Sequence, residues 1–339
     1  MRIIKMRLNV EQVRAITKGA DRVEENANNK RIKFHRFTEA QEKAYKDYSA
    51  EFYRKAFATS GIRLEFKTDS ENLSLTVNVS SKLSSSRRFF AHSVYVDGKL
   101  VGRVEREQDD HRPDGEFSGE FDLGEGEKTV KIYFPWSARS ELVSLELDDG
   151  AKIEPVEKKC KMIIFGDSIT QGYDALAPEN SYASIVTDAL DAEARNKGIG
   201  GEVFWPMLGL LRDDFEPDYI TVAYGTNDWA RNDKETFDRD CEAFYRNLSA
   251  NYSEATIFAL SPIWRGDKDS EKSKVGDFSH LAERIREVAD KLPNVVFIDT
   301  DGFVPEDSSY FSDLFLHPND AGFAPYAEHL LAEIKKYID

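Results

Sequence analysis

The sequence contains only two cysteines and six histidines among its 339 residues. Cys160 and Cys241 show no spacing typical of a metal site, and two free buried thiols are expected rather than a disulfide. Five of the histidines are scattered, without an i, i+4 pair and without a Cys or carboxylate cluster at ligand spacing. The composition therefore predicts a protein that binds no metal and needs no cofactor.

Long apolar stretches are also missing. Arg2, Lys5 and Arg7 interrupt the first ten residues, so the sequence as given has no segment typical of a signal peptide. No later stretch approaches the length of a membrane span. We therefore expect a cytoplasmic protein with no membrane partner, although a chain from which a leader had been removed would have the same features.

The net charge of −16 is unevenly distributed along the chain. Residues 1–150 contain equal numbers of acidic and basic residues, so the whole excess of negative charge lies in residues 151–339. Such a field repels phosphate backbones and anionic surfaces. The charge excludes nucleic acid and acidic polymers as expected partners and favours a neutral small molecule or oligosaccharide. Nothing in the composition indicates an oligomeric state.

The length predicts two domains, residues 1–155 and residues 156–339, because one core rarely holds so long a chain. In the first domain, an irregular polar start precedes a capping box at residues 38–41 and a short helix towards Tyr48. Alternating apolar residues then predict seven strands, and Asp97-Gly98 is typical of a tight hairpin turn. The strands cover residues 63–67, 73–79, 93–96, 100–104, 117–123, 129–134 and 142–147. This pattern predicts an antiparallel β-sandwich.

The second half alternates short apolar runs with amphipathic segments of helix length, which predicts an α/β fold with a parallel sheet covered by helices on both faces. The runs cover residues 161–165, 196–199, 219–224, 256–260 and 295–298, of which the second is the weakest. We predict a flavodoxin-like strand order of 2-1-3-4-5. That order brings the residues after the first three strands together where the strand order reverses.

Three polar motifs follow these runs, GDSIT at 166–170, GTND at 225–228 and HPND at 317–320. They supply an alcohol, Ser168, an amide, Asn227, and an imidazole, His317. A serine becomes a nucleophile only when a base removes its proton and fixed donors hold the charge that develops on the carbonyl oxygen. Each motif alone is an ordinary turn or helix start, but their joint order favours catalysis. Thr170 replaces the second glycine of G-x-S-x-G, which argues against an α/β-hydrolase arrangement.

On these motifs the second half of the chain resembles the SGNH hydrolases, also called GDSL esterases. The resemblance implies that Ser168 attacks an ester carbonyl and that His317 is the general base. It further implies an oxyanion hole formed by the backbone N–H groups of Ser168 and Gly201 and by the Asn227 amide. The matching blocks are residues 166–168, 196–201, 225–228 and 317–322. A sandwich followed by such a domain resembles a subgroup that includes carbohydrate deacetylases with an N-terminal jelly roll.

The acidic residue departs from the family pattern. The family places an acid three residues before the histidine, where this sequence has Leu314. Asp313, four residues before His317, is the predicted partner, because a loop can absorb one extra residue. Asp299 and Asp301 remain alternatives, and so does a Ser-His dyad in which a backbone carbonyl orients the imidazole.

Candidate substrate-binding residues are Trp229, Trp264 and Arg265, with Trp205 as a further crevice tryptophan. Indole faces are platforms for sugar rings and a guanidinium hydrogen-bonds several hydroxyls, although each tryptophan could equally belong to the core. No connecting segment is a long apolar lid. These features favour short acyl esters, acetyl above all, on a carbohydrate.

Other functions remain open at this point. The same residues suit an acyltransferase or an esterase or thioesterase acting on a non-carbohydrate small molecule. A non-catalytic carbohydrate-binding protein on an esterase scaffold is a third alternative. The sandwich could bind sugar, form one wall of the cleft or serve only as packing, because a fold alone does not assign a function.

Overall fold

The computed structural model describes residues 5–81, 85–270 and 273–338. Contacts divide the chain into two units. The first unit consists of the residues up to Thr38, Tyr53–Lys158 and Ala177–Glu179, and the second consists of Glu39–Phe52, Lys159–Leu176 and the residues from Asn180 onward. The change at residues 158 and 159 lies close to the predicted boundary. Residues 39–52 pack with the second unit although they precede most strands of the first.

The described residues of the first unit form two antiparallel sheets and a short helix near its start. Its elements are β1 (Lys5–Arg7), α1 (Val10–Ile16), β2 (Thr17–Lys18), β3 (Arg22–Glu25), β4 (Ile32–His35), β5 (Arg63–Thr68), β6 (Asn72–Ser80), β7 (Phe90–Val96), β8 (Lys99–Arg106), β9 (Gly115–Asp122), β10 (Lys128–Tyr133), β11 (Arg139–Asp148) and β12 (Glu154–Pro155). One sheet has the order β3-β4-β11-β6-β9 with β1 beside β11, and the other has the order β12-β5-β10-β7-β8 with β2 beside β5. The predicted sandwich is confirmed, and its seven predicted strands correspond to β5 to β11.

Alternation along β6 shows why these residues form a sandwich. Leu73, Leu75, Val77 and Val79 are buried, while the residues between them are partly exposed. Successive side chains of a strand point to opposite faces, so one face of β6 joins the core. At the predicted hairpin turn, Asp97 and Gly98 have φ values of 48° and 78°, the positive values that a tight turn between β7 and β8 requires.

The predicted irregular start is wrong, because α1 and β1 to β4 occupy it. These strands have two to four residues, too few for an alternating pattern to be recognised in the sequence. Asn9 caps α1 through a capping box with Gln12. The predicted helix towards Tyr48 is confirmed as α2 (Glu39–Tyr48), which is followed by α3 (Ala50–Lys55).

The second unit contains a parallel five-stranded sheet. Its strands are β13 (Cys160–Gly166), β14 (Ala192–Asn196), β15 (Tyr219–Ala223), β16 (Thr256–Leu260) and β17 (Val295–Ile298). All neighbouring strands are parallel, in the order β14-β13-β15-β16-β17, so the predicted 2-1-3-4-5 arrangement is confirmed. Residues that follow β13, β14 and β15 therefore meet where the strand order reverses.

The remaining helices alternate with these strands. They are α4 (Ser168–Gln171), α5 (Tyr182–Ala189), α6 (Pro206–Leu210), α7 (Thr226–Arg231), α8 (Lys234–Asn251), α9 (Ser279–Ala289) and α10 (Asp320–Ile334), with single 3₁₀ turns at Pro178–Asn180 and Ser308–Tyr310. They pack as two groups, α5 with α10 and α8 with α6 and α9, as expected for a sheet covered on both faces. Within the described ranges, no helix combines the length and apolar content needed to cross a membrane.

The prediction of a strand over residues 196–199 is wrong, because β14 ends at Asn196. Ala192, Ala194 and Asn196 are the buried residues of this strand, whereas Glu193 and Arg195 are partly exposed. β14 lies at the edge of the sheet, and alanine gives a weak apolar signal. Cys160 and Cys241 are both free thiols, as expected, but only Cys241 is fully buried.

Candidate active site

Ser168 is the first residue of α4, directly after β13 and the turn residue Asp167. The Asp167 carboxylate accepts a hydrogen bond from the Ile169 N–H at 2.9 Å and so caps α4. Gly166 is required by close approach, because a Cβ there would lie 2.0 Å from Oγ1 of Thr170 and 2.9 Å from the Ala223 carbonyl oxygen. The turn therefore holds the Ser168 hydroxyl at the carboxyl end of the central strand.

The structure brings Ser168, His317 and Asp313 together. Nε2 of His317 lies 2.9 Å from Oγ of Ser168, and Nδ1 of the same ring lies 2.7 Å from Oδ2 of Asp313. The imidazole also stacks on the Tyr173 ring, with 5.4 Å between the centroids. Because the Asp313 carboxylate accepts a hydrogen bond from the Nδ1–H, Nε2 of the neutral ring is free to accept the serine proton.

Leu314 adopts a left-handed backbone conformation, which accommodates the extra residue between Asp313 and His317. Leu314 has φ of 70° and is 66% exposed. The loop closes around the Asp313 carboxylate, whose Oδ1 accepts hydrogen bonds from the backbone N–H groups of Phe315, Leu316 and His317 at 3.2, 2.8 and 3.0 Å. The four-residue spacing therefore still gives a compact turn that orients the imidazole.

The loop also fixes the ionisation of Asp313. Burial raises the pKa of this carboxyl, but hydrogen bonds from the His317 ring and from the backbone of Leu316 and His317 outweigh burial and hold the pKa well below its ordinary value. Asp313 is consequently ionised at neutral pH. A carboxylate beside Nδ1 favours the positive imidazolium that forms when His317 takes a proton.

Asn227 is hydrogen-bonded to Glu202, the residue that follows Gly201. Nδ2 of Asn227, on α7, donates a hydrogen bond to the Glu202 carbonyl oxygen at 3.0 Å. Gly201 has φ of 87°, a left-handed conformation that favours glycine, and its own carbonyl accepts a hydrogen bond from the Arg231 guanidinium. The Gly201 loop is joined to the Ser168 turn because the Gly200 N–H donates to Oε1 of Gln171 at 2.7 Å.

Two predicted substrate-binding residues are buried inside the second unit. The Trp229 side chain is 3% exposed and donates from Nε1 to the Gly276 carbonyl at 2.8 Å. Arg265 is 5% exposed, stacks over the Trp229 ring and hydrogen-bonds Asp267 and Thr226. These groups already have internal partners, so contact with a substrate would require them to be broken.

Trp264 and the alternative acids are placed differently. Trp264 is partly exposed, packs against Phe311 and lines a groove of about 960 Å³. Asp299 also lines this groove, and its carboxylate pairs with Ser261 and Arg286 rather than with His317. Asp301 lies in the turn after β17 and is exposed. Neither of these carboxylates takes the place of Asp313.

Several residues near the site carried no recognisable signal in the sequence. Tyr173 stacks on His317, Arg231 binds the Gly201 carbonyl, and Glu202 follows the glycine block directly. Only the adjacency of Glu202 to Gly201 could have drawn attention to it. Tyr173 and Arg231 reach the site through packing and loop geometry that single-sequence patterns do not record.

Two buried carboxyls flank the nucleophile and the amide. Burial raises the pKa of Asp167 to about 6 and the pKa of Asp228 to about 8. Asp228 accepts hydrogen bonds from the Phe204 N–H and from Nδ2 of Asn232. Over the part of the chain that the structure describes, His, Cys, Asp and Glu side chains form no group of three or more that could hold a metal ion.

Comparison with known proteins identifies the second half of the chain. Residues 164–324 match the model of the GDSL-like lipase/acylhydrolase family. No curated protein sequence matches the chain.

Solved structures share the fold over most of the chain. A salicylyl-acyltransferase from a tetracycline biosynthetic pathway has a TM-score of 0.80 at 22% identity, over 95% of this chain and 94% of that chain. A putative GDSL-like lipase from Bacteroides ovatus has a TM-score of 0.76 at 18% identity, over 98% of each chain. A family two carbohydrate esterase from Clostridium thermocellum, in complex with cellohexaose, has a TM-score of 0.64 at 19% identity, over 83% of this chain and 94% of that chain.

Both the motifs and the parallel sheet agree with the family match. Over residues 164–324 the chain is similar to the GDSL-like lipase/acylhydrolase family, and its architecture, a parallel-sheet unit preceded by a unit of antiparallel sheets, is that of SGNH-type ester hydrolases.

Proposed function

We propose that the protein hydrolyses short acyl esters, acetyl esters above all, on a carbohydrate through an acyl-enzyme at Ser168. One observation carries this proposal: the hydrogen-bonded series Ser168 Oγ, His317 Nε2, His317 Nδ1 and Asp313 Oδ2, with distances of 2.9 and 2.7 Å at its two ends. A serine, an imidazole and an ionised carboxylate in this order form an activated nucleophile.

The first half-reaction forms a bond from Oγ of Ser168 to the ester carbonyl carbon while His317 accepts the hydroxyl proton. The tetrahedral intermediate then collapses, the bond from carbon to the alcohol oxygen breaks, and His317 protonates the departing alcohol. Water repeats these steps on the acyl-enzyme and releases the acid. Asp313 stays ionised throughout and stabilises the imidazolium.

Three donors are proposed to hold the oxyanion. They are the backbone N–H groups of Ser168 and Gly201 and one N–H of the Asn227 amide. Asn227 uses one Nδ2 hydrogen for the Glu202 carbonyl, which leaves the second for the substrate. Preorganised donors of this kind lower the barrier because they need no rearrangement as charge develops.

The proposed substrate class is supported by charge and by exposed aromatic rings. The negative net charge disfavours anionic substrates. Tyr48 is 48% exposed and stacks on Trp205, with 4.5 Å between the centroids and 12° between the planes. Trp205 lies three residues after Glu202 in the chain, and so it places the aromatic pair next to the Gly201 loop. Such rings suit a sugar face, and carbohydrate esterases are among the proteins that share this fold.

Replacement of the nucleophile tests the reaction. Ser168→Ala is expected to abolish hydrolysis of p-nitrophenyl acetate and labelling by a fluorophosphonate probe, while Ser253→Ala, at an exposed serine, should retain both. Acetate release from a panel of acetylated oligosaccharides then identifies the carrier. Unchanged turnover by Ser168→Ala would reject the proposed mechanism, and a preference for non-carbohydrate esters would reject the proposed substrate class.

Acyl transfer is a second candidate, because the same acyl-enzyme can be attacked by an alcohol instead of water. The salicylyl-acyltransferase that shares the fold favours this alternative. Product analysis with an acyl ester donor and candidate sugar acceptors separates the two reactions. A new ester formed faster than free acid would assign the protein as a transferase.

A further inference from the structure

The loop that carries Gly201 is fixed to the nucleophile turn on one side. Nδ2 of Asn196 donates to the Thr170 carbonyl at 2.7 Å, and the Ile199 N–H donates to the Gly166 carbonyl at 3.1 Å. Together with the bond from Gly200 to Gln171, these contacts attach the beginning and middle of the loop to α4 and β13. They do not involve Glu202, the residue that follows Gly201.

Helix α2 holds the other side of the loop through a buried carboxylate. The phenol of Tyr45 donates to Oε1 of Glu202 at 2.5 Å, and the phenol of Tyr224 donates to Oε2 at 2.8 Å. Glu202, Tyr45 and Tyr224 are at most 1% exposed. A buried carboxylate is costly unless its oxygens are hydrogen-bonded, so each phenol restricts where Glu202 can lie.

A buried ion pair adds a second contact between α2 and the same loop. Nζ of Lys197 lies 2.8 Å from Oδ2 of Asp213 and 3.0 Å from Oε1 of Gln41. Gln41 also donates from Nε2 to Oδ1 of Asp213 at 2.7 Å, and its side chain is fully buried. Gln41 and Tyr45 are four residues apart and therefore lie on the same face of α2.

These contacts bear on both proposed oxyanion donors. The Glu202 carbonyl accepts the hydrogen bond from Asn227, and its backbone is continuous with Gly201. A shift of Glu202 would therefore move the Asn227 amide and the Gly201 N–H together. Displacement of catalytic groups by about 1 Å can slow a reaction about 100-fold.

We propose that Tyr45 is a positioning residue, which acts through Glu202 to set the oxyanion donors Gly201 and Asn227, with Gln41 supporting the same loop through Lys197. The inference rests on the proposed function. It assigns a catalytic contribution to α2, a segment that precedes the catalytic motifs by more than a hundred residues.

The test compares Tyr45→Phe with Tyr245→Phe. Tyr245 is also fully buried, but its hydroxyl has no hydrogen-bond partner among the residues that the structure describes, so its loss is a matched control. With p-nitrophenyl acetate, and with active sites counted by fluorophosphonate labelling, Tyr45→Phe is expected to lower kcat about tenfold or more while KM stays within about twofold. Tyr245→Phe should change neither constant by more than about twofold.

A second variant and a double variant sharpen the test. Tyr224→Phe removes the other phenol from Glu202 and should lower kcat to a similar degree, so the inference stays testable if Tyr45→Phe fails to fold. In an Asn227→Ala background, Tyr45→Phe is expected to lower kcat by about threefold or less, because one of the donors that it positions is gone. A full tenfold effect in that background would overturn the part of the inference that places Asn227 among the donors set by Tyr45.

The outcomes separate this inference from the proposed function. Unchanged turnover by Ser168→Ala would reject the proposed function and this inference with it. Turnover that depends on Ser168 but is equal in Tyr45→Phe and Tyr245→Phe would overturn this inference alone. A rise in KM without a fall in kcat would also overturn it, because oxyanion donors act mainly in the transition state.

Discussion

Asp313 and His317 are joined twice, by side chain and by backbone. Oδ2 of Asp313 lies 2.7 Å from Nδ1 of the imidazole, and Oδ1 accepts the His317 backbone N–H at 3.0 Å. The second bond fixes the loop on which the ring is carried, so the carboxylate orients both the imidazole and its attachment. This double connection explains how an acid four residues before the histidine can meet it.

Removal of Asp313 should affect the rate strongly but less than removal of the nucleophile. Asp313→Ala is expected to lower kcat by on the order of 10⁴-fold, against about 10⁶-fold for Ser168→Ala, because the imidazolium loses its counter-charge. Steady-state hydrolysis of p-nitrophenyl acetate measures both. Asp299→Ala is the control, since that carboxylate pairs with Ser261 and Arg286. A loss below tenfold would favour a Ser-His dyad.

Replacement of Leu314 by glycine should not destabilise the protein. Its φ of 70° is unfavourable for a residue with a side chain, and at 66% exposure the leucine contributes little burial. Leu314→Gly is expected to raise the free energy of unfolding by up to about 1 kcal/mol relative to Leu314→Ala, as measured by urea unfolding. A glycine variant less stable than the alanine variant would contradict the strain assigned to this loop.

Asn227 should contribute only to the transition state. Asn227→Ala is expected to reduce kcat by about 10²- to 10³-fold, which corresponds to about 2.7 to 4 kcal/mol, if its amide binds the oxyanion. KM for p-nitrophenyl acetate should change little. Asn247→Ala, whose amide binds the Pro206 carbonyl, is the control for loss of a side-chain hydrogen bond in the same unit. A much smaller loss would remove Asn227 from the proposed oxyanion hole.

Asp228 should make stability depend on pH. Its pKa of about 8 in the folded protein exceeds the value of about 3.9 in an unfolded chain. The folded state therefore binds the proton more tightly, and the contribution of this group to stability is full below about pH 4 and declines as the pH rises to about 8.

Asparagine at this position cannot titrate. The free energy of unfolding of Asp228→Asn, relative to that of the unmodified protein, should be higher at about pH 9 than at about pH 5. Urea unfolding at both pH values measures this difference. Asp290→Asn, at an exposed aspartate, controls for the change of net charge. An equal difference at both pH values would show that Asp228 does not titrate in this range.

Tyr48 should matter for a sugar substrate but not for a small ester. Tyr48→Ala removes the exposed ring of the stacked pair with Trp205 and is expected to raise KM for an acetylated oligosaccharide severalfold, about 1 kcal/mol of binding. Turnover of p-nitrophenyl acetate should be unchanged. Tyr337→Ala is the matched control, because Tyr337 is 49% exposed. Equal KM values in the two variants would exclude Tyr48 from the substrate site.

Much of the fold could be predicted because local patterns report burial. The alternation along β6 identifies the core face of its strand, and the continuous apolar run of β13 identifies a strand buried on both faces. Where the pattern is short or composed of alanine, as in β3 and β14, the sequence predicts the wrong element or the wrong bounds.

By itself the sequence determined the parts: two kinds of sheet, the strand order of the parallel one, and an alcohol, an amide and an imidazole placed after the strands. Only the tertiary structure decided which of the candidate side chains are buried and which of them contact the active site. It buried Trp229 and Arg265, turned Leu314 left-handed so that Asp313 reaches His317, and placed Tyr45 against Glu202. The physical reason is that periodicity reports local burial, whereas such contacts join residues far apart in the chain or depend on loop dihedrals that no pattern encodes.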